Sequence, residues 1–94
     1  MLKKLNPLLH SELRLAIMSL LVSIQKADFT LIKEKTEATA GNLSVQITKL
    51  EEAGYLKVKK GFKGKMPQTT CIITKKGIDA FEQYVEDLKG YLKL

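Results

Sequence analysis

The spacing of the apolar residues changes at Gly54, and this change restricts the fold more than any other feature of the chain. Before Gly54 the apolar residues recur every three or four positions, the period of an amphipathic helix. Directly after it they alternate with lysines, the period of a strand covered on one face. Gly54 stands where a helix ends in a left-handed residue, a conformation glycine takes without steric cost. A helical half joined to a β half within 94 residues leaves room for one domain around one hydrophobic core.

The helical half divides into three. Ser11 is placed to cap a helix running to about Ile24, with Leu13, Ile17, Leu20, Leu21 and Ile24 as its inward stripe. Ala27-Asp28-Phe29-Thr30 breaks that pattern, and Thr30 is placed to cap a short second helix through about Lys35, with Leu31 and Ile32 inward. Thr36-Glu37-Ala38-Thr39 reads as a turn. Thr39 then caps a third helix from Ala40 to about Ala53, with Leu43, Ile47 and Leu50 on its core face.

Beyond Gly54, Tyr55 to Lys60 reads as a strand with Leu56 and Val58 on one face and Lys57 and Lys59 on the other. Gly61-Phe62-Lys63-Gly64 is the expected turn, and Thr69 to Thr74, rich in β-branched residues, the return strand. Thr74 caps a final helix from Lys75 to about Leu92, along which Ile78, Phe81, Val85, Leu88 and Leu92 keep helical spacing. The predicted fold is mostly α with a small β-hairpin (α+β), in the order α-α-α-β-β-α. Residues 1–94 form a single domain: an N-terminal segment and first helix over 1–24, a helix-turn-helix over 30–53, a hairpin wing over 55–74 and a C-terminal helix over 75–92.

The net charge of +6 is concentrated in one part of the chain. Between Ala53 and Ile78 there are seven lysines and no acid, whereas the rest holds nine basic and ten acidic residues. A basic segment of this kind reads either as a surface for a polyanion or as a solvated face that keeps the protein soluble.

A winged helix-turn-helix gives this charge a use, because the second helix of the motif enters the DNA major groove. The outward face of the third helix carries Gly41, Asn42, Ser44, Val45, Thr48 and Lys49, with Gln46 at its margin and acids only at Glu51 and Glu52. Asparagine and glutamine suit adenine, serine and threonine suit any base edge, and Val45 suits a thymine methyl. The positive end of the helix, from Thr39 to Asn42, suits a phosphate. In the wing, Lys59, Lys60, Lys63 and Lys65 are placed to hold the backbone or a minor groove, although lysines on a strand edge also guard against aggregation.

The N-terminal Leu2, Leu5, Leu8 and Leu9, and in the last helix Phe81, Tyr84, Val85, Leu88, Tyr91, Leu92 and the terminal Leu94, carry more apolar surface than a chain of this length covers alone. We expect Leu5, Leu8, Leu9, Phe81, Tyr84, Val85, Leu88, Tyr91 and Leu92 to pair with a second copy, making a homodimer that presents two recognition helices about one helical turn apart.

Other residue patterns narrow the function. The single Cys71 excludes an intrachain disulfide and a cysteine zinc site; it reads as a small core residue or as an oxidation sensor. That cysteine usage fits a reducing, cytoplasmic location. The N-terminus lacks a signal-peptide core. The apolar run from Leu15 to Ile24 is far shorter than a membrane span, so no membrane partner is expected. The lone His10 has no evident ligand partners and reads as a capping or solvent residue. No nucleophile–base arrangement and no phosphate loop is visible, so neither an enzyme nor a cofactor or metal site is expected. No residue announces a small-molecule effector. The rival to a DNA-binding regulator is a winged helix used as a protein-interaction module, which would not need the basic wing. RNA binding is the third reading, but no aromatic pair for base stacking is evident.

The segment Leu43-Ser44-Val45-Gln46-Ile47-Thr48-Lys49-Leu50-Glu51-Glu52-Ala53-Gly54-Tyr55-Leu56 resembles the recognition helix and first wing strand of MarR-like winged-helix regulators. Gly61-Phe62-Lys63-Gly64-Lys65-Met66-Pro67-Gln68-Thr69-Thr70 and Ile73-Thr74-Lys75-Lys76-Gly77 resemble the wing, and its junction with the last helix, in the small single-domain group of that family. The resemblance spans about residues 8–92. It implies a homodimeric transcriptional regulator, with double-stranded DNA contacted by the third helix and the wing and with the terminal helices at the dimer interface. Lys65 and Gln68 stand where the family often has arginines around the proline. That departure implies weaker, less selective wing contacts.

Overall fold

A computed structural model describes residues 2–93; Leu94, one of the apolar terminal residues noted above, lies outside them. The elements follow as α1 (Glu12–Ile24), β1 (Lys26–Asp28), α2 (Phe29–Thr36), α3 (Ala40–Glu52), β2 (Leu56–Lys63), β3 (Met66–Ile73) and α4 (Lys75–Leu92). The expected helix and hairpin order is present, with one short strand added between α1 and α2.

Three helix starts fall where the sequence placed them. Ser11 accepts from the Arg14 N–H, Thr39 from Asn42 and Thr74 from Gly77. Each satisfies a backbone donor that the first helical turn leaves unpaired. The start of α2 differs: Asp28, not Thr30, is its cap, and its Oδ1 accepts from the Leu31 N–H at 2.8 Å. The reason is tertiary. Ala27 pairs with Cys71 and Asp28 with Thr70, so the break after α1 is a strand, β1, at the edge of the sheet. Gln25, with φ of 71°, turns the chain out of α1 into that strand. The end of the expected α1 stripe is consequently left out of the core: Ile24 is exposed and Met18 is fully buried.

The sheet is antiparallel with order β1-β3-β2. Its hairpin is longer than expected. Gly61, Phe62 and Lys63 belong to β2 and pair with Gln68, Pro67 and Met66, so the turn is Gly64-Lys65. Gly64 has φ of 62° whereas Lys65 does not have positive φ, which fits a two-residue hairpin turn with glycine at its first central position. Pro67 is tolerated inside β3 because β1 ends opposite Thr70. In this register the missing N–H points away from β2, where no strand waits for it.

The core is one cluster. Ile17, Met18 and Leu21 of α1, Ile32 of α2, Leu43, Ile47 and Leu50 of α3, Leu56, Cys71 and Ile73 of the sheet, and Leu9 and Tyr84 from the two ends of the chain meet in it. At about 25 cal/mol per Å² of apolar surface, each fully buried Leu or Ile contributes roughly 1.5–3 kcal/mol. The last two residues correct an expectation. Leu9 and Tyr84, expected to pair with a second copy, are 0% and 3% exposed within the single chain. Tyr84 also hydrogen-bonds His10 through its hydroxyl, so His10 ties the N-terminal segment to α4. No helix among the described residues is long and apolar enough to cross a membrane.

Candidate nucleic-acid interface

Burial of Leu43, Ile47 and Leu50 decides which face α3 offers to solvent. Gly41, Asn42, Ser44, Val45, Thr48 and Lys49 are exposed, Gln46 is half-buried, and Val45 keeps 51% of its surface. An apolar side chain that open costs little alone, but it supplies a contact for a methyl group. The hydroxyl of Thr48 donates back to the Ser44 carbonyl at 3.0 Å, leaving its oxygen as an acceptor. At the start of the helix, Thr39 Oγ1 is occupied by the Asn42 N–H at 3.2 Å.

Two side chains on this face are not free rotors. Gln46 Nε2 donates to Asn42 Oδ1 at 2.9 Å, and Arg14 Nη1 of α1 donates to Gln46 Oε1. Arg14 is itself anchored by donation from Nε to the Leu8 carbonyl. Arg14 was missed in the sequence because it lies within α1, outside the helix-turn-helix, and nothing in its neighbourhood points to a partner 32 residues away.

The register of the hairpin divides the wing lysines between two faces. Leu56, Val58, Lys60 and Phe62 alternate with Lys57, Lys59, Gly61 and Lys63. The first set continues the core-facing side of the sheet. Lys60, opposite Thr69, therefore shares a cleft with Ser44, Thr48 and Glu51 of α3 and with Phe29 of α2. Lys59 and Lys63 stand on the opposite face, and Lys65 is in the turn. Phe62 and Met66 are open near the tip, at 74% and 70%. Among the described residues the ion pairs are Lys75–Asp79 and Lys89–Glu86, both along α4, so no wing lysine is neutralised by a carboxylate.

Cys71 is fully buried in β3, opposite Val58. Burial pushes its thiol up from 9.0 to about 11, with the nearby Glu51 charge adding to the effect. A buried thiol with so little thiolate packs as a small core residue and is a poor nucleophile in the folded protein.

These features, a helix face whose acids are confined to its C-terminal end at Glu51 and Glu52 and a basic hairpin without ion pairs beside it, point to a nucleic-acid-binding module. The chain belongs to the winged helix DNA-binding domain family, whose model matches residues 13–92. It is 38% identical over 80 residues to an uncharacterized protein of Methanocaldococcus jannaschii, covering 84% of this chain and 86% of that one. Among solved structures it is similar to a transcriptional regulator homologue from Pyrococcus horikoshii, with a TM-score of 0.86 and 31% identity over 92% of this chain and 85% of the other. It is also similar to a transcriptional regulator from Clostridium thermocellum, with a TM-score of 0.68 and 25% identity over 86% and 84%. The winged-helix resemblance read from the sequence holds.

Proposed function

We propose that the protein is a sequence-specific transcriptional regulator that binds double-stranded DNA as a homodimer. The observation that carries this reading is the cleft where Lys60 and Thr69 of the wing stand beside Ser44 and Thr48 of α3. It joins a base-reading surface to a phosphate-holding one. In this reading Asn42, Ser44, Val45 and Thr48 meet base edges, with Gln46 behind Asn42. Thr39, Gly41 and Lys49 meet the backbone. Lys59, Lys60, Lys63 and Lys65 hold phosphates on either side of the hairpin. The regulators to which the chain is similar support the role in transcription. A dimer seated on a promoter keeps other proteins from the same phosphates, so repression is the proposed sign.

The dimer surface in this reading comprises Leu5, Leu8, Phe81, Val85, Leu88, Tyr91 and Leu92. Leu92 and Tyr91 remain 57% and 41% exposed, and Leu2, at 59%, lies beside them against Gly90. Tyr91 donates from its hydroxyl to the Lys3 carbonyl, which holds the two ends of the chain in one apolar surface.

Random duplex DNA, selected by gel shift and sequenced, tests the reading. Enrichment of a two-fold-symmetric motif supports it. Salt-sensitive binding without a motif would replace base reading with an architectural role. No binding at low salt would overturn it and direct attention to protein partners. A monomer mass in solution at micromolar concentration would overturn the dimer.

A further inference from the structure

We propose that Arg14, outside the helix-turn-helix, is a positioning residue for base recognition: through Gln46 it sets which atom of Asn42 faces the groove, so that Asn42 reads bases carrying acceptors. The inference rests on the DNA-binding reading above and deepens it.

The argument follows donor and acceptor chemistry along three side chains. A guanidinium has donors and no acceptor, so the Gln46 atom that meets Arg14 Nη1 has to be the carbonyl oxygen Oε1. Arg14 is not free to choose otherwise, because Nε is held by the Leu8 carbonyl. With Oε1 directed to Arg14, the other end of the Gln46 amide is Nε2, a donor, and the atom of Asn42 that it meets has to be Oδ1. Asn42 is fully at the surface one helical turn before Gln46, and its Nδ2 is left to face outward. An asparagine that is free to turn can pair with adenine through both ends of its amide, donating to N7 and accepting from N6. Here Gln46 Nε2 occupies one of the two acceptor sites of Oδ1 and fixes the direction of the amide, so the group that faces outward is the donor Nδ2. Guanine N7 and O6 and thymine O4 are the major-groove acceptors that such a group suits, and guanine and thymine, unlike adenine and cytosine, carry no exocyclic amine of their own in that groove. The chemistry of Asn42 alone points to adenine; the relay from α1 changes that expectation.

The experiment is selection and sequencing of random duplex DNA by the full chain and three variants, each checked for folding by circular dichroism. Asn42→Ala identifies the position read by Asn42 as the one whose preference it erases. At that position the wild type is expected to favour guanine or thymine by roughly tenfold. Arg14→Met removes the fixed donor, and the preference should fall below about twofold while the other positions keep theirs. Gln46→Glu leaves Arg14 in place and is informative even if Arg14→Met fails to fold. Its carboxylate accepts from Arg14 and also from Asn42, so the Asn42 amide must turn and present Oδ1. The preference should then move to adenine or cytosine, whose amines donate. A role confined to holding α1 against α3 would lower affinity without reversing a base preference. Adenine preferred by the wild type, a motif untouched by Asn42→Ala, or a preference unchanged in both Gln46→Glu and a folded Arg14→Met would each overturn the proposal while leaving DNA binding intact. Absence of any DNA binding by the wild type would overturn the DNA-binding reading, and the relay with it.

Discussion

Gly77, in the first turn of α4, lies so close to the carbonyl of Tyr55 that a β-carbon on it would overlap the carbonyl oxygen. The approach is fixed from both sides. The Thr74 N–H donates to that same Tyr55 carbonyl at 3.0 Å, and Thr74 Oγ1 donates to the Gly54 carbonyl at 2.6 Å. The end of α3, the root of the wing and the start of α4 thus meet at one point with no space for a side chain. Gly77→Ala should therefore destabilise the fold by about 1–3 kcal/mol, although alanine is ordinarily the better helix residue. Denaturant unfolding followed by circular dichroism checks this; a variant as stable as the wild type would mean the junction is looser than described.

Cys71 should resist thiol reagents in the native protein at pH 8 and react once the protein is unfolded in denaturant, because burial holds the thiol at about 11. The pH consequence has a definite sign. The folded pKa is raised above the ordinary 9.0, so the contribution is fully present below pH 9 and is lost as pH rises from 9 towards 11. Stability should fall over that window by on the order of 2 kcal/mol more in the wild type than in Cys71→Ala.

Replacing Lys59, Lys60 and Lys63 together should weaken binding to all duplex sequences alike, because phosphate contacts carry no base information. For the wild type we expect a log–log salt slope of about −4 per subunit, reduced by about 2–3 in the triple variant. A slope that does not change would mean the wing stands away from the backbone.

Glu37 joins α2 to α3 in a left-handed conformation, φ 57° and ψ 25°, which costs an L-residue roughly 1 kcal/mol. Glu37→Gly relieves that cost and adds chain entropy to the unfolded state. The net gain should be a few tenths of a kcal/mol, read as a rise in Tm of about 1–3 degrees. A fall in Tm would show that the Glu37 side chain contributes more to the turn than its backbone costs.

Much of this protein was determined by short-range relationships within the sequence. The bounds of α1, α3 and α4, the caps Ser11, Thr39 and Thr74 and the left-handed Gly54 rest on hydrogen bonds three or four residues apart and on helical periodicity. Both signals are present wherever the local residues are. The outward face of α3 followed in the same way, since burying Leu43, Ile47 and Leu50 leaves one arrangement for the rest. Other features were decided by distant partners. Lys26-Ala27-Asp28 is a strand only because β3 lies beside it, and that pairing passes the cap of α2 from Thr30 to Asp28. The hairpin turn narrowed from the expected Gly61-Phe62-Lys63-Gly64 to Gly64-Lys65 because the cross-strand ladder extends through Phe62 and Pro67. Leu9 and Tyr84 look like interface residues in an amphipathic pattern but fill the core, where two ends of the chain converge. Arg14 gains its role from Gln46, 32 residues away. Periodicity tells which side of a helix is buried; only packing tells what it is buried against, and so which surface groups are held in place and which remain free to bind.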